Sequence, residues 1–213
     1  MRHAYRFGDP LKQPATVEQW LVKHRSATPM CLICGQQMAL RGVHAQTTAH
    51  FVHGANSNCP TITRSHAPYK YLSSLSKSPG AASAAKKFVK DNLYGVYYRM
   101  RALAPGLTWT ELLAACEAAK AHQVWDLVGM TPEYAPSVLL TCVDSFPATS
   151  FRPSELSFFL EPNPSPGAYW NFPQGRKRQI FVVDRTKGQL SLVDIDFTLA
   201  QGDIFTRIEV ALS

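Results

Sequence analysis

Long apolar runs are absent from this sequence, and their absence excludes membrane-spanning proteins. No stretch approaches the roughly 18 consecutive apolar residues that a spanning helix needs. The opening residues, MRHAYRFGDP, are polar and aromatic and lack the apolar region of a secretory signal. Cysteines are few, 5 in all, and the way they are used suits a reducing compartment, where clustered Cys and His bind metal instead of forming disulfides. We therefore expect a cytoplasmic protein without a membrane partner.

Acidic residues are scarce in the first half of the chain. Residues 1–104 contain 14 lysines and arginines against only Asp9, Glu18 and Asp91, a balance of +11, whereas residues 105–213 contain 8 against 12 acidic residues, a balance of −4. Such polarity favours an anionic partner, of which nucleic acid is the usual one. The alternative is a basic surface that only aids solubility. Because 46% of the residues are apolar and 17% charged, most of the chain should be folded.

The motifs of several enzyme classes are also missing. There is no Gly-rich phosphate loop and no G-x-S-x-G nucleophile motif. The only acidic cluster, Asp184, Asp194 and Asp196, lacks the lysine that a Mg²⁺-dependent restriction-type nuclease places beside its carboxylates, since Lys187 lies in a turn. We therefore name no catalytic residue and favour a protein that is not an enzyme. A divergent metal-dependent nuclease is the alternative.

Metal-binding residue types are concentrated in residues 31–59. A Cys-x2-Cys pair is followed by further histidines and a cysteine, which is the usual sequence form of a structural zinc site with four tetrahedral ligands. The candidate ligands for Zn²⁺ are Cys31, Cys34, His53 and Cys59, with His50 as a substitute or supporting group. The alternative is a buried, reduced Cys pair beside incidental histidines. No small-molecule cofactor is expected.

Four short motifs give residues 25–75 a family resemblance. They are Cys-x2-Cys-Gly, the basic turn Arg41-Gly42, His-Phe-x-His and Ser-Asn-Cys-Pro. Together they resemble the N-terminal zinc module of CoiA-like competence proteins, and residues 65–72 are similar to the His-x3-Lys-x2-Leu segment that follows it. The resemblance implies zinc binding and a link to DNA uptake, phage or mobile elements. It stops before the restriction-endonuclease-like core into which members of that family usually continue.

The chain is predicted to be an α+β protein with a small zinc-binding module, central helices and a C-terminal antiparallel β-sheet. Residues 1–72 form the zinc-binding module with an N-terminal helix, 73–80 a connector, and 81–213 an α+β domain with helices within 81–145 and strands within 156–212. The first fifteen residues should be irregular.

Capping boxes predict helix starts at Thr16 and Thr108, and Ser78-Pro79 predicts the start of a helix over about 80–100. Strands are expected at 156–160, 168–172, 179–184, 189–199 and 204–212.

The predicted helix over 80–100 carries a basic face. Its apolar residues recur at i, i+3, i+4 spacing, and a set of cations and tyrosines lies outside that stripe. Cations suit a phosphate backbone and tyrosines permit base stacking, although a solvated outer helix face explains the tyrosines equally well. We predict binding of nucleic acid, DNA in preference to RNA, through Arg41, Arg64, Lys70, Lys86, Lys87, Lys90 and Arg101. The alternative partner is a protein, with the zinc purely structural.

Overall fold

The computed structural model describes residues 1–43, 48–57, 59, 61–62, 72, 75–161, 169–170 and 178–195. Helices and antiparallel sheets occur together in this part of the chain, which confirms the α+β class. The helices are α1 (Val17–Lys23), α2 (Ser83–Asp91), α3 (Leu93–Leu103), α4 (Trp109–Ala121) and α5 (Ala135–Thr141). The strands are β1 (His3–Arg6), β2 (Ala15–Thr16), β3 (Pro29–Met30), β4 (Met38–Arg41), β5 (His50–His53), β6 (Leu156–Leu160), β7 (Gln179–Asp184) and β8 (Gln189–Asp194). No helix in these ranges has the length and hydropathy needed to cross a bilayer.

The first fifteen residues are not irregular, contrary to the sequence-based expectation. Strand β1 pairs antiparallel with β2 on one side and with β3 on the other. The second pairing joins Tyr5 to Met30, a separation along the chain that a local pattern of residues does not reveal. The capping box of α1 is confirmed: Gln19 N donates to Thr16 Oγ1 at 3.2 Å, and Thr16 N donates to Gln19 Oε1 at 2.9 Å.

The single helix predicted over 80–100 is wrong in two respects. It is broken at Asn92, whose backbone leaves the helical region (φ −123°, ψ 35°) and whose side-chain nitrogen donates to Phe88 O at 3.0 Å. Leu93 therefore begins a new helix and is 40% exposed instead of being buried. The helix also starts later than predicted, at Ser83. Ser78 N donates to the backbone oxygen of Asp126 at 2.7 Å and Gly80 N donates to its carboxylate at 2.8 Å, and these bonds hold the preceding stretch in a turn.

The three strands β6, β7 and β8 form an antiparallel sheet that is covered on both faces. Alternate side chains of the sheet, such as Phe158 and Ile180, belong to the apolar cluster of the helices. Their neighbours Phe159 and Phe181, which are paired across the sheet, belong to the apolar cluster of the N-terminal module. Burying side chains of this size contributes about 1.5–3 kcal/mol each. The N-terminal module is thus packed on the face of the sheet opposite helices α2–α5.

The β7–β8 hairpin is confirmed, with its turn at residues 185–188. Strand β8 ends at Asp194, and the rest of the strand predicted over 189–199 lies almost entirely outside the described residues. The strand predicted at 204–212 also lies outside them, as does most of the one predicted at 168–172.

Candidate metal centre

A tight turn after β3 positions the first two cysteines. Gly35 N donates to Cys31 O at 2.9 Å, and Cys31 N donates to Gln36 O at 2.8 Å, so the chain reverses within five residues. Gly35 has φ +69°, a conformation that a β-carbon disfavours. The glycine that follows the Cys-x2-Cys motif is therefore needed for the turn that brings both sulfurs to one side.

Four side chains from separate parts of the chain meet at this turn. The ligand atoms of Cys31, Cys34, His53 and Cys59 all lie within 4.8 Å of one another. The Cys31 and Cys59 sulfurs are 3.9 Å apart, close to the about 3.8 Å separation expected for two thiolates on a tetrahedral zinc with Zn–S bonds of about 2.3 Å. All five cysteines are free. The arrangement has the number, type and spacing of ligands of a four-coordinate metal site.

The imidazole of His53 provides an independent test of whether a metal fits. Both of its ring nitrogens are buried, and neither has a hydrogen-bond partner among the described residues. A buried polar atom without a partner is costly, and coordination of a metal ion by one nitrogen would remove that cost. The orphaned ring, directed into three thiols, thus fits a metal ligand and not an incidental histidine.

His50 lies outside this cluster. Successive side chains of a strand point to opposite faces, so residues three apart in β5 cannot face the same side. His53 lies on the inner face with Phe51, which is 1% exposed, whereas His50 lies on the outer face opposite Arg41. Its Nδ1 is 2.9 Å from Thr48 O. The substitute role considered for His50 therefore has no geometric support in the described part of the chain.

The pKa values of the Cys31 and Cys59 thiols are shifted in opposite directions. Hydrogen bonds from Cys31 and Cys34 lower the pKa of Cys59, and hydrogen bonds to Cys34 and Cys59, together with burial, raise the pKa of Cys31. The Ile33 backbone N–H donates to the Cys31 sulfur at 3.4 Å, and Thr61 Oγ1 lies 3.1 Å from the Cys59 sulfur. Groups that stabilise sulfur anions therefore surround the cluster, as they do for metal-bound thiolates.

Two polar residues, Gln36 and Ser57, link the halves of the cluster. Ser57 Oγ donates to Gln36 Oε1 at 2.5 Å and accepts from Cys59 N at 3.1 Å. The Cys34 thiol donates to the same Gln36 oxygen at 3.7 Å. Both residues lie within two positions of a cysteine, and Ser57 also belongs to the Ser-Asn-Cys-Pro motif.

The residues predicted to contact nucleic acid fall into two described groups. Lys86, Lys87 and Lys90 are exposed on α2, and Arg101 is exposed on α3. Arg41 is exposed on β4, in the β4–β5 hairpin. Lys87 forms an i, i+4 ion pair with Asp91. The remaining two predicted residues, Arg64 and Lys70, lie outside the described residues.

The acidic residues considered for a nuclease site do not form one cluster. Asp184 pairs with Gln189 at the turn end of the β7–β8 hairpin, and Asp194 pairs with Gln179 at the other end. These two pairs are five residue steps apart along the strands, which is about 17 Å at roughly 3.4 Å per residue. Each carboxylate has a local role, since Asp184 accepts from Lys187 N and Asp194 accepts from Gln179 Nε2, both at 2.8 Å. The third carboxylate, Asp196, lies outside the described residues.

No protein family, curated protein or solved structure matches this chain. The resemblance to CoiA-like proteins therefore rests on the four motifs and the segment 65–72 and remains a prediction.

Proposed function

We propose that this chain is a zinc-stabilised protein that binds nucleic acid through the cations of α2 and α3. The observation that carries the proposal is the excess of positive charge on these two helices. Residues 83–103 contain five cations, Lys86, Lys87, Lys90, Arg99 and Arg101, against one acidic residue, Asp91. All but Arg99 are exposed, so the surface suits a polyanion that is bound through its phosphates.

The donor set supports zinc as the metal. Three thiolates and one imidazole are soft or borderline ligands, which suit Zn²⁺ and not Mg²⁺ or Ca²⁺, and four protein ligands leave no open position for a substrate. Zinc would supply folding free energy to a module that is small in apolar mass. Its role is structural: it holds the turn, the β4–β5 hairpin and residue 59 together.

The biological setting follows from the resemblance to CoiA-like proteins. It favours DNA over RNA and a link to DNA uptake, phage or mobile elements. Catalysis is not part of the proposal, because Asp184 and Asp194 lie at opposite ends of their hairpin.

The ion pair of Lys87 does not remove it from the binding surface. Both partners are largely exposed, with 76% and 47% of the side chain accessible, and exposed pairs of this kind stabilise a protein by only about 0–1 kcal/mol. A phosphate can therefore compete with Asp91 for this lysine.

Binding of the pure protein to a labelled DNA duplex across a salt series tests the proposal. With Lys86, Lys87, Lys90 and Arg101 on phosphates, log affinity should fall with log salt with a slope of about −3 to −4. Replacing the three lysines by Gln should flatten that slope by about 3. Lys120→Gln, an exposed lysine on α4, is the matched control and should leave it unchanged. A wild-type protein that ignores nucleic acid even at low salt would contradict the proposal and favour a protein partner.

A further inference from the structure

Three large side chains form an exposed apolar surface where α3 meets α4. Tyr94, Trp109 and Leu113 are 59%, 45% and 57% exposed. Trp109 is the first residue of α4, and Leu113 lies one helical turn further on. Exposed apolar side chains that lie together, unlike single scattered ones, mark sites of interaction.

Ring contacts fix the positions of Trp109 and Tyr94. Trp109 stacks on Tyr97, with ring centroids 4.1 Å apart and planes 9° from parallel, and Tyr94 meets Trp109 edge-on at 5.4 Å. Tyr97 is itself fixed, because it is 7% exposed and its hydroxyl donates to Leu107 O at 2.7 Å. One face of the indole is therefore occupied by Tyr97, and the exposed part of the ring is pre-organised for a flat ligand.

The backbone beneath Trp109 is equally well held. Glu111 N donates to Thr108 Oγ1 at 3.2 Å, and Thr108 N donates to Glu111 Oε2 at 2.9 Å. The other oxygen of Glu111 accepts from the buried Arg152 at 2.5 Å. Because these bonds fix the first turn of α4, the indole loses little freedom when a ligand stacks on it.

Cations flank this aromatic surface along the chain. Arg101 is four residues after Tyr97 on α3, which places it one turn along the same helix face, about 6 Å away along the axis. Tyr94 follows the lysine-bearing α2 directly after the break at Asn92. Aromatic rings beside a cationic track are the combination that binds unpaired nucleotides: the bases stack and the phosphates meet the cations.

We infer that Trp109 and Tyr94 form a stacking platform for unpaired bases, so that the chain binds single-stranded nucleic acid more tightly than duplex. The inference rests on the proposed function and names its substrate class. In a duplex the faces of internal bases are covered by their neighbours, so the platform adds nothing there. An acidic peptide would meet the cations but gain little from a flat aromatic surface.

Affinity for a labelled thymidine 20-mer and for a 20-base-pair duplex, measured with the full chain, tests the inference. Wild type should prefer the single strand. Trp109→Leu should weaken single-strand binding by about tenfold, within the range that loss of one stacked base produces, and should leave the salt slope and duplex affinity unchanged. Phe7→Leu, at an aromatic residue of the N-terminal module that is 70% exposed, is the matched control and should change neither.

The outcomes separate this inference from the proposed function. Equal affinity for both forms, or single-strand binding that survives Trp109→Leu, overturns the platform but leaves salt-dependent nucleic-acid binding standing. A labelled polyglutamate that binds as tightly as the 20-mer and is weakened by the same substitution also overturns it, in favour of a peptide site. Absence of all binding overturns both. If Trp109→Leu does not fold, Tyr94→Leu serves instead, because Tyr94 is the more exposed ring and the expected loss for single strands is of the same kind.

Discussion

The indole of Trp20 meets the ring of Phe51 edge-on, with centroids 5.4 Å apart and planes at 81°. Both residues are 1% exposed. Trp20 belongs to α1, and Phe51 precedes the metal-ligand candidate His53 by two positions on the same face of β5. The ring contact therefore joins the N-terminal helix to the strand that presents the imidazole. The position of His53 depends on the apolar core of the module as well as on its own backbone.

His53 and His50 should differ sharply when each is replaced by alanine. His53→Ala removes one of four ligands and should lower the zinc content well below that of wild type, because the three remaining thiolates leave the tetrahedron incomplete. His50→Ala removes a side chain from the outer face of the same strand and should keep the metal. Zinc per chain, measured after dialysis, compares the two. Equal loss in both variants would show that the site uses a different ligand set.

Removal of the metal should expose one face of the C-terminal sheet. The N-terminal module covers Phe159 and Phe181, so a chelator that unfolds the module should leave these rings accessible and increase the binding of an apolar fluorescent dye. Helices α2–α5 pack on the opposite face, so most of the helical circular dichroism should persist. Adding zinc back under reducing conditions should reverse the dye signal. Complete loss of helix on chelation would show instead that the two layers fold as one unit.

The ion pair between Glu111 and the buried Arg152 should contribute strongly to the stability of the fold. Arg152 is 1% exposed and donates to the Glu111 carboxylate, to Pro147 O at 2.8 Å and to Pro105 O at 3.4 Å. Glu111→Gln keeps the capping box but leaves a buried guanidinium without its counter-charge, so the free energy of unfolding should fall by about 2–3 kcal/mol. Glu117→Gln, on an exposed position of the same helix, should change it by less than about 0.5 kcal/mol. Denaturant unfolding of both variants checks this, and equal stability would contradict the structural role of the pair.

Cleavage of nucleic acid with Mg²⁺ or Mn²⁺ is not expected. Asp184 and Asp194 are separated along the hairpin. The lysine beside Asp184, Lys187, lies in the hairpin turn and is paired with that carboxylate at 3.8 Å, so it does not occupy the strand position from which a nuclease lysine helps to position water. Incubation of the pure protein with DNA and RNA, followed by gel analysis, checks this expectation. Clear cutting that Asp194→Asn abolishes would contradict it and restore the nuclease hypothesis.

Local sequence patterns predicted the features that depend on neighbouring residues. Both capping boxes and the turn that holds Lys187 between β7 and β8 involve only a few consecutive positions, and the structure contains them. Features that depend on distant residues were missed. Asn92 breaks a stripe whose apolar spacing continues through it, and β1 pairs with β3 from much further along the chain.

The two-sided burial of the sheet was also beyond the reach of a local pattern. Phe158 and Phe159 are adjacent apolar residues in β6, which indicates a strand buried on both faces but not what covers each face. The ligand set illustrates the same limit. The spacing in the sequence left His53 and His50 as candidates for the fourth metal ligand. In the folded hairpin their side chains lie on opposite faces of β5, and only His53 faces the cysteines.

Elemental analysis of freshly purified, reduced protein tests the metal centre most directly. Wild type should contain about one zinc ion per chain, and Cys59→Ser should contain almost none, because Cys59 is the ligand that ties a distant part of the chain to the Cys31–Cys34 turn. Cys142→Ser, a buried cysteine packed among the helices, should keep the full amount. Wild-type protein without zinc, or a Cys59→Ser variant that retains it, would contradict a zinc site formed by Cys31, Cys34, His53 and Cys59.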